Sequence, residues 1–80
     1  MDSIILVKET FGHYGEKCKI EVTTDSIYEG VYIGFAESTK ENPLVLRLQI
    51  SEKEANRIGA YGMRIIGIDY KVIKNIEFIN

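Results

Sequence analysis

Hydrophobic and polar residues alternate with period two over most of this chain, in short runs separated by polar or glycine-bearing breaks. Cys18, Ile20 and Val22 alternate with Lys19, Glu21 and Thr23, the signature of a half-buried strand. Thr24, Asp25 and Ser26 follow as a turn, because small polar side chains bond their own backbone and aspartate tolerates positive φ. The next run, residues 27–35, is β-branched and aromatic but is interrupted by Gly30 and Gly34. Glycine inside a strand costs stability unless curvature or close approach requires it, so the pair predicts a strongly bent strand. Leu44, Leu46, Leu48 and Ile50 then fall on one face, with Val45, Arg47 and Gln49 on the other, which makes this the central core strand. Val45 on the otherwise polar face is compatible with a partner subunit covering that side. Residues 63–68 and 73–79 read as a fourth and a fifth strand.

The breaks have their own chemistry. Residues 36–43 are polar and end in Pro43, which cannot take part in regular strand pairing. Ser51 and Glu54 have capping-box spacing, and Gly59 lies just beyond, so one helical turn or a long hairpin loop is expected there, its charges on a solvated face. Residues 69–72 are short enough for a tight 3₁₀-like connection. Near the start, residues 4–7 are β-rich and favour an extended segment, although Asp2 or Ser3 can cap a short helix. Phe11, Gly12, His13, Tyr14 and Gly15 form a loop whose rings can cover the open end of a small core, or can stack on a base. The pattern as a whole is that of a single all-β domain, residues 1–80: a small, five-stranded, strongly bent antiparallel barrel.

The uninterrupted segment from Val22 to Phe35 resembles the first motif of Sm-like proteins: a strand, a polar turn, an aromatic or aliphatic residue (Tyr28) two before a glycine (Gly30), then apolar residues and a second glycine (Gly34). The likeness extends over about residues 15–50. It implies an SH3-like barrel that assembles into a cyclic homo-oligomeric ring, the fourth strand of one subunit pairing with the fifth of the next, and that binds single-stranded RNA. By the same resemblance, the loop after Phe35 carries a base-reading asparagine, matched here by Asn42 across an insertion of a few residues, while Ala36 stands where the family has an aspartate. The second motif of the family places an arginine and a glycine after the fourth strand. Here Gly67 is preceded by Ile66, and Asp69, Tyr70 and Lys71 are the residues that can reach RNA from this connection. Asn42 offers a donor and an acceptor to a base edge, Tyr70 a stacking face and Lys71 a cation for phosphate. Gly30, Gly34 and Gly67 are expected to be structural.

Composition narrows the function classes. The formal net charge is −2 and the pI about 5.3, with lysine and arginine interspersed among acids, so no basic stripe for a duplex is present. Nucleic acid would have to be recognised locally, on single strands. One cysteine and one histidine exclude an internal disulfide and leave too few soft ligands for a zinc site. No apolar run has the length of a membrane span or of a signal-peptide core, so the expected location is the cytoplasm. The sequence contains no phosphate-binding glycine loop, metalloprotease helix or nucleophile elbow. The expectation is therefore a non-enzymatic protein without a cofactor. The alternative to an RNA-binding ring protein is an SH3-like module that binds protein or builds an assembly without touching RNA, a reading favoured by Ala36 and Ile66.

Overall fold

The computed structural model describes residues 1–37 and 44–79. Five strands, β1 (Lys17–Val22), β2 (Ile27–Ala36), β3 (Val45–Gln49), β4 (Ile65–Asp69) and β5 (Ile73–Ile79), form one antiparallel sheet. Its order is β4-β3-β2-β1-β5, so β4 and β5 are its two edges. Helix α1 (Ser3–Thr10) precedes the sheet, helix α2 (Glu52–Arg57) joins β3 to β4, and one 3₁₀ turn (Tyr70–Val72) joins β4 to β5.

The period-two reading of β1 holds. Cys18, Ile20 and Val22 are buried, and with Leu46, Leu48, Ile50, Ile68, Ile73 and Ile76 they make the core. Each large side chain fully buried in this way contributes about 1.5–3 kcal/mol. The turn after β1 uses Asp25 at φ 66°, the left-handed conformation that aspartate tolerates, and Val22 N donates to Ser26 O at 3.0 Å. Leu46, Leu48 and Ile50 are buried as read, but Leu44 is half-buried, the strand is shorter than residues 44–50, β2 and not β3 is central in the sheet, and β4 begins two residues later than expected.

The two glycines of β2 are required for two separate reasons. Residues 27–31 pair with β1, whereas pairing with β3 begins only at Val31 and shifts register between Tyr32 and Phe35. Gly34 lies inside that shift at φ +92°, where an L side chain is strained. Gly30 has no room for a side chain: an added Cβ would lie 2.6 Å from Gln49 O.

Two expectations are corrected. Residues 4–7 are helical, not extended. Asp2 caps α1, its Oδ1 accepting from Ile4 N at 2.8 Å, and the Met1 ammonium anchors the segment by donating to Tyr70 O at 3.2 Å and Ile73 O at 2.6 Å. Burial of Leu6 and Thr10, one turn apart, outweighs the β propensity of Ile4, Ile5 and Val7, which remain exposed. The charges of α2 are also not all solvated. Ser51 caps the helix as its spacing predicts, accepting from Glu54 N at 3.1 Å, but Glu54 is buried against β2.

Candidate nucleic-acid interface

The connection from β4 to β5 is the part of the expected interface that can be built residue by residue. Asp69 Oδ1 accepts from Lys71 N at 3.0 Å and so caps the 3₁₀ turn, a local role that fixes the loop. Tyr70 is half-buried and packs against the core, and its carbonyl receives the Met1 ammonium. Lys71 is exposed, with Nζ 5.9 Å from the centroid of the Tyr70 ring, within cation–π range. Asn42 lies outside the described residues. The chain two positions beyond it is tied to this same connection, because Tyr70 N donates to Leu44 O at 3.3 Å. The fold therefore brings the connection that carries Asp69, Tyr70 and Lys71 next to the start of β3.

Gly67 sits on β4 opposite Arg47. Val45 leans over it, and an added Cβ would lie 2.5 Å from Val45 Cγ1. The half-burial of Val45 is thus accounted for within the chain, by its fit over a glycine. Arg64 points elsewhere: it is exposed, 3.8 Å from a Glu52 carboxylate oxygen, an arrangement worth little in water.

At the other end of α1, the aromatic loop behaves chiefly as a cover. The His13 ring stacks on Phe78 at 4.1 Å and 11°, and its Nδ1 is 3.1 Å from Glu16 Oε2. Tyr32 is the hub beneath, edge-on to Tyr14, Phe35 and Phe78. Phe11 remains 84% exposed. Cys18 is fully buried, which pushes its thiol up to about 11 and leaves no thiolate nucleophile at neutral pH. Among the described residues no group of histidine, cysteine and carboxylate side chains could hold a metal ion, and no helix is long and apolar enough to cross a membrane.

Two open cavities lie among the described residues. One, of about 430 Å³, lies between β4 and the turn that follows β1, and Val22, Tyr28, Ile58, Ile66, Ile68 and Val72 give it an apolar lining. The other, of about 470 Å³, lies under α2 and is lined by charged residues of β1, β2 and α2. Its central group escaped the sequence reading. Glu54 accepts from the Glu29 amide at 2.7 Å and from Arg57 Nε at 2.6 Å, and Arg57 also donates to the Ile27 carbonyl. Arg57 above all, with the Glu29 amide adding to it, holds the Glu54 carboxyl below its ordinary value, against the opposing effect of burial. The only sequence signal was an arginine three residues beyond a capping-box glutamate, which any exposed helix can show.

No family model matches the chain, and neither a curated protein nor a solved structure matches it.

Proposed function

We propose that this chain is a divergent Sm-like protein whose bent sheet curls into an SH3-like barrel, assembles into a cyclic ring and binds single-stranded RNA. The observation that carries the reading is the sheet order. β4 and β5 are its two edges, and among the described residues β5 pairs with β1 alone. Unpaired edges are a liability, and head-to-tail pairing of β4 with the β5 of a neighbour removes both at once. The apolar groove beside β4 offers such a neighbour a place to bury side chains. The bend of β2 at Gly30 and Gly34, and the approach of Leu44 to Tyr70, agree with the same reading.

A second reading, an SH3-like assembly or protein-binding module that never meets RNA, is favoured by a specific observation. Asp69 is occupied in capping, and Tyr70 packs on the core, which leaves Lys71 as the exposed member of its trio. Sedimentation at micromolar concentration tests the ring, and a 9.1 kDa monomer alone overturns it. Fluorescence titration with oligo-U and oligo-A at moderate and low salt then separates the two readings. Binding supports the RNA reading, and no binding at tens of micromolar protein leaves the assembly module.

A further inference from the structure

The amino half of β2 has a strand on one side only. Residues 27–30 pair with β1, and β3 joins β2 only from Val31 onward. In an antiparallel ladder, alternate residues send both backbone groups to the same side, so Ile27 and Glu29, like Val31, turn theirs away from β1. Val31 meets Gln49 of β3 in register. The Glu29 N–H instead donates to Glu54 Oε2, and the Ile27 carbonyl accepts from the Arg57 guanidinium. Glu54 supplies an acceptor where a strand would place a carbonyl, and Arg57 supplies a donor where a strand would place an amide. The two side chains lock each other by a bidentate pair, Nε to Oε1 at 2.6 Å and the second nitrogen to Oε2 at 2.7 Å.

We infer that Glu54 and Arg57 stand in for a missing strand along the amino half of β2, and that without them this edge accepts an edge strand from a second copy of the chain. The occupant follows from the sheet itself, since β4 and β5 both end it with an outer side that, among the described residues, no strand covers. The cavity lined by Glu29, Gly30, Val31, Gln49, Glu54 and Arg57 marks the gap left where β3 departs from β2. An exposed row of unpaired groups recruits strands, and side chains that occupy it suppress this. The seal thus confines strand-mediated contact to β4 and β5.

The test compares the parent chain with Glu54→Ala/Arg57→Ala, and with the same double variant carrying Glu29→Pro. Proline removes the amide that an incoming strand would bind, and that amide points away from β1, so the ladder to β1 stays intact. In the parent, the Glu29 amide exchanges slowly with solvent. In the double variant at high dilution it exchanges at least about tenfold faster while the Val31 amide is unchanged. With rising concentration the double variant sediments as species larger than the parent, and adding Glu29→Pro restores the parental distribution. A folded double variant that sediments as the parent does at every concentration overturns the inference, as does a Glu29 amide that exchanges freely in the parent. Should the double variant not fold, Arg57→Ala alone frees the Ile27 carbonyl and makes the same comparison, and a parental distribution there overturns the inference too. Each readout is a change relative to the parent, so the result stands whether the parent is a ring or a monomer.

Discussion

Gly30 passes so closely beneath the end of β3 that a methyl group on its Cα would lie 2.6 Å from the carbonyl oxygen of Gln49, with Leu48 Cβ and Ile50 Cγ2 each at 3.2 Å. The first of these contacts is to backbone, which cannot rotate away. Gly30→Val is therefore expected to destabilise the fold by about 1–3 kcal/mol, the usual range for an overpacked core site. At about 4–8 °C per kcal/mol for a domain of this size, thermal melting followed by circular dichroism should fall by roughly 10 °C. An unchanged melt would mean that β3 does not approach β2 there.

Gly34 should behave differently, because its nearest neighbours are Tyr14 ring carbons at 3.6 and 3.8 Å, an ordinary contact. The penalty comes from φ +92° alone. Gly34→Ala is expected to cost about 1 kcal/mol, and Gly34→Asn less than Gly34→Ala, since asparagine tolerates positive φ better. Urea denaturation of the two variants side by side checks the order.

Both glycines were legible as special positions, because glycine inside an otherwise β-branched and aromatic strand costs stability unless curvature or close approach requires it. Their separate reasons were not, since one depends on β3 crossing overhead and the other on a register shift, and both are non-local. The inward residues of β1 and β3 were legible for the same period-two reason. Helix α1 was not, because Ile4, Ile5 and Val7 carry β propensity, and what decides the segment is burial of Leu6 and Thr10 together with the docking of Met1 on Tyr70 and Ile73. At the candidate interface, the residue types pointed to Asp69, Tyr70 and Lys71, but only the fold reveals that Asp69 is a cap and that Tyr70 is largely a packing residue. Glu54 looked like one more surface acid because the Glu29 amide that it accepts from, and the Ile27 carbonyl that Arg57 reaches beside it, lie a long way back in the sequence.

Cys18 gives a prediction in the alkaline range. Burial raises its thiol from 9.0 to about 11, so the folded state keeps it protonated after the unfolded chain has begun to ionise. The stability this contributes is fully present below pH 9.0 and is lost as pH rises through about 11. Denaturation of the parent between these values should show a downward slope that Cys18→Ala lacks, and a thiol reagent at pH 8 should label the protein only after unfolding.

Glu54 gives the opposite sign. Its folded value lies below the ordinary 4.5, so its contribution is present above that pH and is lost as pH falls through the lower folded value. Glu54→Gln keeps an acceptor for the Glu29 amide but loses the ionic pairing with Arg57, at an expected cost of about 1–2 kcal/mol at neutral pH, a modest figure because the guanidinium is half exposed. The gap between parent and variant should narrow as pH drops below 4.5. A gap that stays constant across the acid range would mean that Glu54 is not charged in the folded protein.

If RNA is bound, the connection after β4 and the loop after β2 are where variants should act. Tyr70 N holds Leu44 O at 3.3 Å, so this connection lies against the start of β3, and Asn42 lies outside the described residues. Lys71→Ala removes an exposed cation, and on the RNA reading it should weaken a short single-stranded oligonucleotide and flatten the dependence of affinity on salt, since one fewer counterion is released per complex. Asn42→Ala removes a donor and an acceptor and should weaken binding without changing the salt slope. Neither position belongs to β4 or β5, so sedimentation should return the parental assembly for both. The two salt slopes separate a phosphate contact from a base contact, which a single affinity cannot do. Should both variants bind as the parent does, the RNA path does not cross this connection, and the exposed Phe11 of the loop between α1 and β1 becomes the next residue to replace.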